Sequence, residues 1–257
     1  AHRVVILGDP LQLPHITSIK DTEQDFIANE LSIATTDHNY VKDSLFLKSY
    51  KVSNNNAFQS TFLNEHYRCH PQIIEFSNTH FYKAKAGQNL VVRTNPNDFK
   101  IGFPGLHWFH INGEVEQYRN VNMLEVEKCV ELAEDLQNKF PEASIGIVTP
   151  FNDQKQELQK AFRNIKNDKV VVDTVHRFQG DEKDIIIFSL VVSTQGRDSL
   201  HRFINYYSAY LLNVGITRAK SALYIIGNKH YCSNLIDDKG KTLLARLAQY
   251  SDHVNQK

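Results

Sequence analysis

His176-Arg177-Phe178-Gln179-Gly180-Asp181-Glu182-Lys183-Asp184 runs straight into the apolar stretch Ile185 to Val192. An apolar run of that length, rich in β-branched residues and preceded by a Gly-containing turn, predicts a strand buried on both faces. Such strands belong to parallel sheets, which need a covering helix between successive strands. The rest of the chain supplies that alternation. Downstream, a helix is predicted over Leu211 to Lys220 and a strand over Ala222 to Gly227. Upstream, strands are predicted at Val4 to Leu7, Leu106 to Ile111, Ile145 to Val148 and Val170 to Val175.

Between them lie helical patterns. Pro71 sits at a favoured first position, with Ile73, Ile74, Ser77 and Phe81 on one face up to Tyr82. Asn122 caps a long helix, with Glu125 three residues on as reciprocal partner, and Met123, Val126, Val130, Ala133 and Leu136 facing inward. Asp153 to Phe162 turns Leu158, Ala161 and Phe162 inward, with Asn152 placed to cap it, and Asp237 to Lys257 reads as a terminal helix with a frayed end. Residues 17–60 are polar and weakly periodic, so they read as a linker, with Asn54-Asn55-Asn56 as a loop. The expected class is α/β: a mostly parallel sheet with helices on both faces. Ligands in such sheets gather at the carboxyl ends of strands, where Gly8-Asp9, Thr149-Pro150 and Thr174 to His176 fall.

Composition bounds the alternatives. The chain has 257 residues, 41% hydrophobic and 23% charged, so a packed core is expected rather than disorder. Lys+Arg and Asp+Glu both number 29, so any nucleic-acid footprint must be local. Cys69, Cys129 and Cys232 form no CxxC pair and no disulfide framework, which fits a reducing, intracellular and cytoplasmic setting. His66, Cys69 and His70 lack a fourth ligand at zinc spacing, so no metal site is assigned to this chain. No apolar stretch reaches the ~20 residues of a membrane span, and no signal peptide is evident. The chain opens almost inside a strand, which reads as a fragment of a longer protein.

Five segments carry chemistry, each with a bland counterpart. Gly8-Asp9-Pro10-Leu11-Gln12-Leu13-Pro14 places Gln12 where it can bond a terminal phosphate or its attacking water; otherwise it is a Pro-rich turn. Asn64-Glu65-His66-Tyr67-Arg68-Cys69-His70-Pro71 sets a stacking ring beside a guanidinium suited to phosphate oxygens; otherwise Tyr67 and Arg68 are a surface pair. Thr149-Pro150-Phe151 offers a hydroxyl and amides to a phosphate, or is a plain strand-to-helix turn. In Thr174 to Glu182, Gly180 lets a ligand approach the backbone, Glu182 can accept from a ribose hydroxyl, and Thr174 and His176 can touch a nucleic-acid backbone. The bland version is a β-turn with solvated charges. Arg218, in Asn213-Val214-Gly215-Ile216-Thr217-Arg218-Ala219-Lys220, is a candidate arginine finger; otherwise it is a helix-terminal cation, as Lys220 is read.

In this order the segments resemble the C-terminal half of superfamily 1 helicases, in the branch containing the nonsense-mediated-decay helicase and its DNA-directed relatives. The resemblance runs from Val4 to about Tyr250, and its four strings are specific only jointly. It implies a three-layer RecA-like domain of the P-loop NTPase helicase fold. Residues 1–60 would be the remnant of a first lobe plus linker, and 61–257 the second lobe. It implies that Gln12, Arg68 and Arg218 act on the γ-phosphate, that Tyr67, Gly180 and Glu182 bind the nucleotide, and that Thr149, Pro150, Thr174 and His176 line single-stranded DNA or RNA. Gly215 stands where the family usually has Ala. The phosphate-binding GxxxxGK[ST] loop and the Asp-Glu metal box are missing from the sequence, so ATP and Mg2+ would be held largely by an N-terminal lobe outside this chain. The fragment alone is then expected to be inactive, whereas the parent would be an ATP-dependent helicase. A non-enzymatic nucleic-acid-binding or scaffolding module that keeps the fold is the alternative. A metabolic nucleotide-binding domain would need a Gly-rich loop that is not there.

Overall fold

The computed structural model describes residues 4–15, 17–34, 39–41, 43–55, 60–163, 169–193, 198–207 and 209–255. The chain divides into two compact units, Ala1–Leu63 and Asn64–Lys257.

The first unit holds α1 (Asp21–Glu30) and α2 (Leu45–Asn55), where the polar sequence suggested a linker. Gln24 and Ala28 are the buried positions of α1, too few to give a periodic signal. Asn54 and Asn55 end α2 rather than forming a loop, and Asn56 lies outside the described residues. The strand expected at Val4 to Leu7 is not formed: Val4, Val5 and Leu7 are 69%, 84% and 79% exposed. A strand needs neighbours for its backbone N–H and C=O groups, and none is hydrogen-bonded to this run among the described residues.

The second unit starts with the short pair β1 (Glu65–His66) and β2 (Val91–Val92). Between them α3 (Pro71–Ser77) continues through a π-helical turn, Asn78–Lys83, into α4 (Ala84–Ala86). Then come β3 (Gly105–His110), α5 (Met123–Lys139), β4 (Ile145–Thr149), α6 (Asn152–Phe162), β5 (Val170–Thr174) and β6 (Lys183–Ser189). After α7 (Asp198–Arg202) and α8 (Ala209–Ile216) follow β7 (Ala219–Gly227), α9 (Lys229–Ser233), the hairpin β8 (Ile236–Asp237) and β9 (Gly240–Lys241), and α10 (Leu243–Asn255). Residues 256–257, where fraying was expected, lie outside the described residues.

Five strands form one parallel sheet in the order β3-β7-β6-β4-β5. Ile185, Ile186, Ile187 and Phe188 in its centre are fully buried, each worth about 1.5–3 kcal/mol of apolar transfer. On one face Ile145, Ile147, Ile185, Ile187, Tyr224 and Ile226 pack against α5 and α6. On the other, α3 and α8 bring Ile73, Ile74, Leu211, Leu212 and Val214 into the core. This is the three-layer α/β, RecA-like arrangement.

Two faces differ from expectation. On α5 the inward residues are Glu125, Val126, Cys129, Leu132, Ala133 and Leu136, while Met123 is 44% exposed and Val130 only half-buried. The stripe is rotated because Glu125 itself turns inward. Asn122 caps α5 by accepting from the Glu125 N–H at 3.3 Å, and Glu125 reaches back only to the Asn122 side chain, accepting from its Nδ2 at 3.3 Å, not to its backbone N–H. Its carboxylate accepts from Ser189 Oγ at 2.7 Å and from the Val191 N–H at 3.0 Å. The Asn122 N–H donates instead to Gln154 Oε1 at 2.9 Å, and Gln154 Nε2 donates to Ser189 Oγ at 3.0 Å. β6 ends at Ser189, three residues short of Val192, and Val191 beyond it stands at φ +58°. On α6, Gln154 and Leu158 are buried, Ala161 and Phe162 are half-buried, and Asn152 is the first helical residue rather than the cap.

Candidate functional site

The candidate residues of the second unit gather at opposite edges of the sheet. Gly180, Glu182, Arg218 and Arg68 lie at the amino ends of β6 and β7, the edge opposite the carboxyl ends where ligands were expected to gather. The helix preceding β7 stops at Ile216, so Arg218 stands in the turn between α8 and the strand, not on a helix. Thr217 closes α8 by donating to the Asn213 carbonyl at 2.8 Å. Arg218 is 3% exposed; its Nε donates to the Val214 carbonyl at 3.2 Å and its Nη1 to the Asp181 carbonyl at 3.3 Å. Burial, then the Arg68 charge, push its pKa down.

Two bonds stitch the Tyr67-Arg68 loop to this turn: the His70 N–H donates to the Lys220 carbonyl at 2.7 Å and the Cys69 thiol to the Thr217 carbonyl at 3.5 Å. A third, from the Lys183 N–H to the Arg218 carbonyl at 3.1 Å, ties the start of β6 to the same turn. Arg68 Nη1 thereby comes within 3.5 Å of Glu182 Oε2, and Lys220 Nζ within 2.9 Å of Glu182 Oε1. Lys220 is thus a strand residue paired with Glu182, not a helix-terminal cation. The Lys220 hydrogen bond holds the Glu182 carboxyl below the usual carboxylate range, against partial burial, with Arg68 adding to the effect. Burial and the Arg68 charge push His66 down to about 4, and its ring accepts from the Cys69 N–H at 2.9 Å.

The cluster has room and unused donors. Arg68 Nε is buried without a hydrogen-bond partner. Gly180, at φ +94°, has open space where a Cβ would stand. Tyr67 is 68% exposed, and its hydroxyl donates to Glu65, which also binds Arg93. Arg93 was not singled out in the sequence, and Lys220 was read only as a helix-terminal cation; nothing local marks either as a carboxylate's partner.

At the carboxyl edge, Thr149 pairs with Thr174 in register. Thr149 and Pro150 are buried, Thr174 is 8% exposed and His176 half-buried. The Thr149 carbonyl accepts from the Val175 N–H at 3.1 Å, extending the β4–β5 ladder, and the Thr174 carbonyl from the Phe178 N–H at 3.0 Å, closing the turn after β5. Burial lowers the pKa of His176. The segment Val175–Glu182 then returns across β4 to the other edge. Phe178, 2% exposed, lies over Gly146, where a Cβ would come within 2.6 Å of its ring. Gln12 is in the first unit; its backbone N–H donates to the Asp9 carbonyl at 3.2 Å, and its side chain donates to the Asp9 carboxylate at 3.1 Å.

Residues 41–230 match the AAA domain family model. The chain belongs to the AAA domain family. Within it the chain is a superfamily 1 helicase domain of the branch named above, as its relatives indicate. Helicase sen1 of Schizosaccharomyces pombe is 32% identical, over 99% of this chain and 15% of that protein. The DNA polymerase alpha-associated DNA helicase A of Saccharomyces cerevisiae is 28% identical, over 88% of this chain and 34% of that protein. The chain therefore spans a minor part of these relatives. Among solved structures, the C-terminal domain of a possible DNA helicase from Lactobacillus plantarum aligns over 70% of this chain and 93% of that one, at 15% identity and a TM-score of 0.40. No helix among the described residues of this AAA domain chain is long and apolar enough to cross a membrane, and no group of three or more His, Cys, Asp or Glu among them can hold a metal.

Proposed function

We propose that the chain is the C-terminal part of an ATP-dependent helicase that moves along single-stranded DNA or RNA. Residues 1–60 are the tail of a first RecA-like lobe and 61–257 the second lobe; the division after Leu63 supports this partition. The observation that carries the reading is the convergence of Arg68 and Arg218 beside Glu182 and the open turn at Gly180.

Glu182 is the carboxylate beside both guanidiniums, but Lys220 shares it, and the unpartnered Arg68 Nε is a donor awaiting a further anion. A nucleoside triphosphate fits that need. Arg218 stabilises charge on the γ-phosphoryl group from a fixed position, since Val214 and Asp181 hold it before any ligand arrives. Arg68 clamps phosphate oxygens, with Glu182 releasing it as the ribose hydroxyls take up the carboxylate. Tyr67 offers an exposed face to the base. Gln12 senses the γ-phosphate from the first lobe. Mg2+, held by residues outside this chain, would neutralise charge on the phosphates. The carboxyl edge, with Thr149, Pro150, Thr174 and His176, follows the nucleic-acid backbone. The relatives' names as helicases support the nucleic-acid substrate, and three free buried cysteines support a reducing, cytoplasmic setting.

The test is ATP hydrolysis by the longer parent, with and without single strands, for wild type and Arg218→Ala. Strand-stimulated turnover that falls by about 10³-fold or more in the variant is expected. Turnover indifferent to Arg218 and to nucleic acid would favour a scaffolding role instead.

A further inference from the structure

At the carboxyl ends of β3 and β7 lies a cavity of about 280 Å³ lined by His110, Asn112, Asn228, His230, Tyr231 and Asn234. None of these residues belongs to the cluster around Arg218. His110 pairs in register with Gly227, so the cavity continues, across β7 and β6, the same edge that carries Thr149 and Thr174. Carboxyl ends of adjacent parallel strands are where such sheets receive ligands.

The lining is three rings and three carboxamides, with no charged group. The His110 and His230 rings stand 4.4 Å apart at 63°. Hydrogen-bond bookkeeping narrows the ligand. His110 Nδ1 accepts from the Lys229 N–H at 3.1 Å, so its Nε2 carries the proton and is a donor. Partial burial, with His230 and Lys229, lowers the His110 pKa and keeps the ring neutral. Asn228, 3% exposed, is engaged at both ends: its Oδ1 accepts from the Tyr231 N–H at 2.9 Å and its Nδ2 donates to Asn112 Oδ1 at 3.2 Å. That leaves the Asn112 amide as a donor. Asn234 Nδ2 donates to the His230 carbonyl at 2.9 Å, which leaves the Asn234 oxygen as an acceptor.

No group of three or more His, Cys, Asp or Glu among the described residues is placed to hold a metal ion, and the His110 nitrogen that keeps a lone pair already accepts from Lys229. A phosphate presents acceptors alone and has no use for the Asn234 oxygen. An unpaired nucleobase presents flat faces for the rings and mixed donors and acceptors for the amides, and it is small enough for the volume. We propose that this cavity holds one unstacked base of the single strand, fixing the strand at the β3–β7 end of the sheet as the Thr149–Thr174 end follows its backbone. The inference rests on the nucleic-acid reading given above.

Trp108 is the chain's only tryptophan, and its indole donates to the Gly227 carbonyl at 3.1 Å, one residue from the cavity. Its emission reports occupancy. The 257-residue chain is titrated with a deoxyadenosine dodecamer and with an abasic dodecamer, using wild type and the Asn112→Ala, Asn234→Ala double variant. Both substituted residues are exposed, and circular dichroism checks the fold. The dodecamer should perturb Trp108 in wild type. The variant should bind it about tenfold more weakly, lose the perturbation, and bind the abasic strand unchanged. Equal weakening for both strands would mean a phosphate site, and no weakening would place the cavity off the strand's path; either overturns the inference while nucleic-acid binding stands. Failure of wild type to bind either strand would overturn the nucleic-acid reading itself.

Discussion

Replacing Glu125 by glutamine removes one titratable proton from the core and leaves the side chain's shape nearly unchanged. Glu125 is completely buried, and burial outweighs its bonds from Ser189, Val191 and Leu190, raising its pKa from 4.5 to about 7. A folded-state value above the unfolded one means stability is full below pH 4.5 and is lost as pH rises through about 7. With ~1.36 kcal/mol per pKa unit, the protein should lose about 2.5 kcal/mol between pH 5 and pH 8 on account of this carboxyl. Other groups titrate in the same window; the lowered pKa values of His66 and His176 act in the opposite direction. Those contributions are common to wild type and variant and drop out of the difference. The assay is urea unfolding followed by Trp108 emission, which reports the second unit through β3. Wild type should lose about 2.5 kcal/mol more than Glu125→Gln over that range. Parallel stability curves would refute the reasoning and mean that Glu125 is ionised throughout, compensated by the Ser189 and Val191 donors.

Three further outcomes follow from packing and charge. Phe178→Ala uncovers Gly146 and should cost about 3–5 kcal/mol in the same unfolding assay; a cost below ~1 kcal/mol would mean the crossing segment is not seated on the sheet. Gly215→Ala brings a Cβ within 2.6 Å of the fully buried Phe188 ring. The strain of about 1–3 kcal/mol should exceed the ~1 kcal/mol gained in helix propensity, so net destabilisation is expected, and a raised melting temperature would show that Phe188 has room to move. Glu182→Gln should change stability by less than about 1 kcal/mol near neutral pH, as partly exposed pairs do. That small difference should fade as pH falls through the lowered range of the carboxyl, because a depressed folded-state pKa stabilises only above the unfolded value; a difference that grows on acidification would contradict the Lys220–Glu182 pairing.

The parallel sheet was legible because β4, β6 and β7 are short apolar runs whose burial leaves no periodicity to misread. Helix ends were less so. Asn122 and Glu125 spell a capping box, but the same glutamate satisfies Ser189 and Val191, which sequence spacing cannot reveal because those partners lie over sixty residues away. Arg218 was recognisable by its neighbours, yet its support, the carbonyls of Val214 and Asp181, is backbone and carries no residue signature. Lys220 looked like a helix end because only Thr217 and Arg218 separate α8 from β7, and neither is a helix breaker. The run Val4 to Leu7 has strand composition, but composition cannot provide the neighbouring strands that would turn it into one. His110, Asn112 and Asn228 become a site only once β3 and β7 are adjacent.

The stretch Val175–Glu182 has eight residues with which to leave β5, pass over β4 and begin β6. Along the sheet it must recover the five-residue length of β4, about 16 Å, and it must step sideways by two strand spacings, about 10 Å. Fully stretched, eight residues reach about 26–29 Å, and most of these are bent into turns pinned at Phe178. The straight path is about 19 Å, so the surplus length is taken up in the turns, and the seat of Phe178 over Gly146 fixes where it goes. His176 at one rim of the domain and Gly180 and Glu182 at the other therefore belong to one short piece of chain with a single anchor between them.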